Sequence, residues 1–145
     1  MDIEQFILHI LIKYSELDYR ELLTKVAHNL KLGENYVIYL LNVLKDHGLI
    51  EFIEKTSDAY EKCLVDEKLR SDRRIKNIKK YCKRLYPSRI SVKVTDAGRV
   101  EYAHNCYCLS FKLNSTTETA LLNMKQCAEY ADVNTTPPNK CTQAF

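Results

Sequence analysis

Tryptophan is absent from this 145-residue chain, and glycine and proline occur three times each. So little glycine excludes the Gly-rich loops that cradle phosphates in nucleotide-binding enzymes, and so little proline excludes a polyproline or low-complexity architecture. Long apolar runs are missing too. The best candidate, Phe6 to Ile12, is interrupted by His9 and preceded by Asp2 and Glu4 where a basic leader would be needed, so neither a secretion signal nor a membrane span is expected. There is no His-Glu-x-x-His, no nucleophile elbow and no acid at a meaningful spacing from His28 or His47. The chain is therefore expected not to be an enzyme and to need no cofactor.

What is present is ordinary globular material: 46% hydrophobic and 28% charged residues, with ten tyrosines. The length suits one domain, or one domain with an appendage, able to bury a core without covalent staples. Six cysteines would allow three bridges, but without an export signal the expectation is reduced thiols in a cytoplasmic protein, and Asn114 and Asn134 then carry no glycan. His104-x-Cys106-x-Cys108, with Cys127 and Cys141 downstream, invites a zinc or redox reading. Structural zinc sites favour Cys-x2–4-Cys, so small buried or partly exposed thiols are expected and no metal.

Charge is distributed unevenly. Residues 1–67 carry 7 Lys/Arg against 13 Asp/Glu, residues 68–93 carry 11 against 1, and residues 94–145 carry 4 against 5. Half of the basic side chains thus fall in one short stretch, the footprint of an anionic partner or, alternatively, a solvated face that offsets the acidic N-terminal half.

Apolar spacing supplies the elements. Ile3, Phe6, Ile7, Ile10, Leu11 and Tyr14 recur at 3s and 4s, predicting a first helix from Ile3 to Tyr14. Ser15 to Asp18 breaks it; Asp18 with Glu21 opens a second helix, Tyr19 to Leu30, that turns Leu22, Leu23, Val26 and Leu30 inward. Gly33 supplies a positive φ for the sharp turn that follows. From Gly33 to Ile50 the inward stripe is Val37, Leu40, Leu41 and Leu44, stopped by Gly48. The period then falls to two, predicting a strand at Ile50 to Lys55 and a returning strand at Ile90 to Thr95. Residues 56–88 between them form an insertion: Tyr60 to Val65 as strand or helix, then one basic amphipathic helix from Glu67 with Leu69, Ile75, Ile78, Cys82 and Leu85 on its apolar side, closed by Pro87. Thr95 caps a helix from Asp96 to His104; Tyr107, Leu109, Phe111 and Leu113 alternate as a short strand; Ser115 and Glu118 open a last helix to Ala131; and residues 134–145 read as a disordered tail.

Helix, helix, helix, strand, with the third helix closing in LKDHGLIEF and a later ISVKVTDAGRVEY, resembles the winged helix-turn-helix family. A plain three-helix bundle would use the same stripes but not the strands. The resemblance implies a mainly α fold with a small β wing (α+β): a winged domain over residues 1–104 with an enlarged basic wing at 56–88, and a C-terminal strand and helix extension at 105–133. It also implies a sequence-specific regulator of transcription on double-stranded DNA. The third helix would read bases in the major groove through Asn35, Tyr36, Tyr39, Asn42 and Lys45. Arg70, Arg73, Arg74, Lys76, Lys79, Lys80, Lys83, Arg84 and Arg89 would hold the phosphate backbone. Two features depart from the family's habit: the helix has no Arg, and Glu34 stands at its start. The alternative is a winged-helix module that binds protein. Leu121, Leu122, Met124 and Ala128 on the last helix suggest a homodimer.

Overall fold

A computed structural model describes residues 2–114, 116–137 and 141. The chain divides into two compact units, one built from residues 1–52 and 92–145, the other from residues 53–91. Among the described residues it is mainly helical with a three-stranded antiparallel sheet, and no helix is long and apolar enough to cross a membrane.

The first unit begins with α1 (Ile3–Tyr14), whose first turn is capped by the Asp2 carboxylate accepting from the Glu4 N–H at 3.0 Å. The segment after it, read as a simple break, forms a short strand β1 (Glu16–Asp18), and α2 (Tyr19–Leu30) follows with Asp18 as its cap, accepting from the Arg20 N–H. The turn after α2 corrects the sequence reading. The left-handed residue is Lys31, at φ 53°, while Gly33 sits at φ −68° as the N-cap of α3 (Glu34–Asp46), where an added Cβ would meet nothing within 4 Å. The reversal comes at the end of α2, because the Leu32 N–H reaches back to the Ala27 carbonyl, and that geometry fixes position 31 as left-handed whatever its side chain.

At the far end of α3 the glycine expectation holds. Gly48 has φ 74°, its N–H donates to the Lys45 carbonyl at 2.9 Å and the Leu49 N–H donates to the Leu44 carbonyl at 3.0 Å, the paired bonds that close a helix on a left-handed residue. The chain leaves as β2 (Ile50–Lys55) and returns as β3 (Arg89–Val94), in sheet order β1-β3-β2. Thr95 then joins two ends: its hydroxyl donates to the Gly48 carbonyl at 2.6 Å and accepts from the Gly98 N–H at 3.0 Å, capping α7 (Asp96–Asn114). Gly98 is required there, since a Cβ would strike the Leu49 carbonyl oxygen.

Helix α7 runs through the stretch read as a strand. Tyr102, Ala103 and Cys108 are buried at helical spacing, and packing on α1 and on α8 (Thr117–Tyr130) outweighs the alternation of Tyr107, Leu109, Phe111 and Leu113. The α8 stripe is also divided. Ala120, Met124 and Ala128 are buried, whereas Leu121 and Leu122 are 41% and 58% exposed. The expected cap Ser115 lies outside the described residues, and the N-cap of α8 is Thr116. A polar aromatic cluster fastens α8 to α1: the Tyr130 hydroxyl donates to the His9 carbonyl at 3.1 Å, the two rings stack at 4.9 Å, and His9 Nδ1 lies 2.8 Å from the Tyr102 hydroxyl. Burial lowers the His9 pKa and raises that of Tyr102. Beyond α8, Ala131 joins the core, the Arg99 guanidinium donates to its carbonyl at 2.8 Å, and His104 bonds Thr135.

The core of this unit gathers Ile7, Leu8, Leu11, Leu22, Leu23, Val26, Val37, Leu41, Leu44, Ile50 and Val92, each at most 2% exposed. Each such side chain contributes on the order of 1.5–3 kcal/mol by leaving water. Of the predicted α1 stripe, Ile7, Ile10 and Leu11 are buried, Ile3 and Phe6 are partly buried and Tyr14 is exposed, while Leu8 and Ile12 are buried outside it, so α1 is covered on more than one side.

The second unit holds α4 (Asp58–Leu64), capped by the Ser57 hydroxyl, then α5 (Glu67–Arg70) and α6 (Ile78–Leu85). The single basic helix expected from Glu67 is thus two helices with a link. Asp72 accepts from the Arg74 N–H and Asn77 accepts from the Lys80 N–H, local bonds that offer the backbone an alternative to helix, in a stretch where Arg73, Arg74 and Lys76 would otherwise stack like charges. The thiol expectation is overturned: Cys63 pairs with Cys82, Cys106 with Cys127 and Cys108 with Cys141. Their helical neighbours bring the Cα atoms of Cys63 and Cys82 to 5.8 Å, a disulfide separation that sequence spacing does not reveal. Among the described residues no cluster of His, Cys, Asp or Glu is arranged to hold a metal ion.

Candidate nucleic-acid interface

Packing decides which side of α3 is available. With Val37, Leu40, Leu41 and Leu44 turned into the core, helical geometry leaves Asn35, Tyr36, Tyr39, Asn42 and Lys45 exposed, and Ile38 partly buried. Asn35, Tyr39 and Asn42 lie at i, i+4 and i+7 on one face, Tyr36 beside it. Tyr39 is 61% exposed and Tyr36 47%, so both rings are open to a partner. Lys45 is partly committed elsewhere, since its ammonium sits 5.1 Å from the centre of the Phe52 ring, which in turn meets Tyr19 edge-on.

The acid at the start of α3 has a local answer. Arg20, at the beginning of α2, places its guanidinium 3.9 Å from the Glu34 carboxylate, both side chains well exposed. A pair this open adds little stability, yet it offsets the charge that would otherwise face a phosphate. Gly33 offers the first turn of α3 no side-chain cap, so the turn's amides retain the positive end of the helix dipole for an anion. Sequence reasoning passed over Arg20; an Arg two places after a helix cap, with an acid opening the next helix, was the signal.

In the second unit all nine predicted backbone-binding residues are exposed. Arg70 ends α5; Arg73, Arg74 and Lys76 occupy the link; Lys79, Lys80, Lys83 and Arg84 lie on α6; Arg89 opens β3. They are not equivalent. Arg74 is locked to Asp72 by two bonds, Nε to Oδ1 at 3.2 Å and Nη2 to Oδ2 at 3.0 Å, which hold the Asp72 carboxyl below its usual range. Lys83 is 3.4 Å from Glu54, whose pKa is lowered by the Ser88 hydroxyl donating at 2.8 Å and by Lys83 itself. A further feature is a groove of about 840 Å³, lined by Leu69, Ile75 and Tyr81 together with Lys76, Lys80 and Arg84 and the Asp72–Arg74 pair.

Compared with protein-family models, with curated proteins and with solved structures, the chain has no match.

Proposed function

We propose that the chain is a winged helix-turn-helix regulator of transcription that binds double-stranded DNA as a homodimer. The observation carrying this reading is the outer face of α3: a helix anchored by a fully buried stripe presents Asn35, Tyr39 and Asn42 to solvent in register. Asparagine pairs bidentately with adenine in the major groove, and a rigid helix supplies the positioning that such readout needs. The order α1-β1-α2-α3-β2, followed after the helical insertion α4–α6 by β3 at the centre of the sheet, supports the family resemblance. The exposed cations of residues 70–89 supply sequence-independent phosphate attraction, which the α3 face, with only Lys45 as a cation, does not. Leu121 and Leu122, left open on α8, are the surface a second copy would cover. No catalytic role enters this reading.

A cytoplasmic DNA binder with three disulfides fits a cell interior that keeps them oxidised, as in hyperthermophiles. The same disulfides favour a second reading, a winged-helix module that binds a protein partner in an oxidising compartment. Selection from a random duplex pool separates the two. A DNA reader enriches a defined site, and Asn42→Ala then loses about 1–3 kcal/mol on that site while affinity for random duplex is unchanged. Absence of any enriched site, or equal loss on both DNAs, favours the protein-binding module.

A further inference from the structure

Duplex phosphates need only exposed cations, yet the second unit also builds a groove lined in part by apolar and aromatic side chains. Leu69 and Ile75 line it, and Tyr81 joins them from α6 as a half-buried ring. Lys80 and Arg84 stand four residues apart on the same helix and therefore on one face, and Lys76, in the link, lines the same groove. The one acid in the groove, Asp72, is already neutralised by Arg74 through its two bonds, so the remaining three cations are not offset within the groove. At about 840 Å³ the space is within the range of small-molecule sites and exceeds what a lone phosphate would fill.

We propose that this groove binds one unpaired nucleotide unit, its base stacked on the Tyr81 ring and its phosphate held by Lys80 and Arg84. A flat π-face over an aromatic ring beside a cationic track is the chemistry of single-strand binding, and it is indifferent to base identity. A stacked duplex buries those faces and offers the groove only phosphates. The proposal rests on the nucleic-acid reading for the class of polymer, but it places an extruded or single-stranded nucleotide in the insertion, independent of what α3 reads. The unit arrives either as part of a strand or as a free mononucleotide.

The test uses the full, oxidised chain and fluorescence anisotropy with labelled (dT)10 and a labelled random duplex. Wild type binds (dT)10; Tyr81→Ala weakens it by about 5- to 150-fold with duplex affinity unchanged, and Tyr81→Phe, which keeps the ring, restores it. Competition on the wild type needs no variant. Thymidine monophosphate displacing (dT)10 far better than inorganic phosphate supports a base-and-phosphate site. Displacement at a concentration of mononucleotide close to that of oligomer units identifies the free nucleotide as ligand, and a large advantage of the oligomer identifies the strand. Equal displacement by inorganic phosphate, or no binding of (dT)10, overturns the proposal. Loss of duplex binding with (dT)10 binding intact would remove the duplex reading and leave this one standing.

Discussion

In residues 1–52 and 92–145 a continuous cluster of leucine, isoleucine and valine from α1, α2, α3, β2 and β3 is closed from water. In residues 53–91 the buried apolar side chains are Cys63 and Cys82, bonded to each other, while Leu69, Ile75, Ile78 and Tyr81 are only half-buried and Leu85 is 51% exposed. A segment of this size cannot bury enough apolar surface to offset its chain entropy, and one carrying twelve cations is further from doing so. The covalent link closes a loop of sequence separation 19 and holds α4 against α6. The first region has a core closed by water exclusion, to which the disulfides Cys106–Cys127 and Cys108–Cys141 add, and leaves polar side chains on a helix surface; the second is highly charged, has no such core, and is held in shape by its one crosslink.

This difference is open to mutation, and the largest expected effect is in the apolar unit. Leu41→Ala removes a side chain that is 0% exposed and should cost about 2–5 kcal/mol in denaturant unfolding, lowering protection from hydrogen exchange throughout α1, α2 and α3. A loss below about 1 kcal/mol would mean that the cluster is not what folds this unit. Next comes the crosslink. Replacing Cys63 and Cys82 together by Ser should cost the second unit about 3 kcal/mol by the loop-entropy model, releasing the amides of α4 and α6 to fast exchange while those of α1 to α3 stay protected. Retained protection in α6 would show that the insertion folds without its bridge. The smallest stability effect belongs to Leu121→Asp with Leu122→Asp, surface changes on α8 worth within about 0.5 kcal/mol each. Their effect is instead on assembly, a shift from dimer to monomer in sedimentation. A wild type that already sediments as monomer removes the dimer.

How much of this was legible depended on where the stabilising interaction was local. The stripes of α1, α2 and α3 and the period-two strand after Gly48 were readable because burial imposes a repeat on the sequence, and the bounds of α1, α2 and β2 coincide with those expected. The Thr95 cap was readable from its position before Asp96, though its second bond, to Gly48, was not. The continuation of α7 was misread because four alternating apolar residues satisfy either period, and the arbiter, packing against α1 and α8, is non-local. The break between α5 and α6 was hidden by a plausible stripe with one skip; the signals against it were Asp72 and Asn77, short polar side chains that bond their own backbone. Pairing of six cysteines is a statement about three-dimensional proximity, and spacing alone does not contain it. For the interface, the exposure of Asn35, Tyr39 and Asn42 followed from the stripe opposite them, whereas the pairing of Arg20 with Glu34 and the groove around Tyr81 required coordinates.

The division of labour between the two units is most directly measured by the salt dependence of random-duplex affinity, wild type against a variant with Arg73, Arg74, Lys79 and Lys80 all changed to Ala. Each phosphate neutralised contributes about 0.9 to the slope of log K against log salt. The variant should therefore bind every duplex more weakly at low salt, with a slope flatter by up to roughly four units, and, under the proposed base reading by α3, should keep the ratio of specific to random affinity. An unchanged slope, or no binding of wild type to any duplex at low salt, would contradict the assignment of these cations to the DNA backbone.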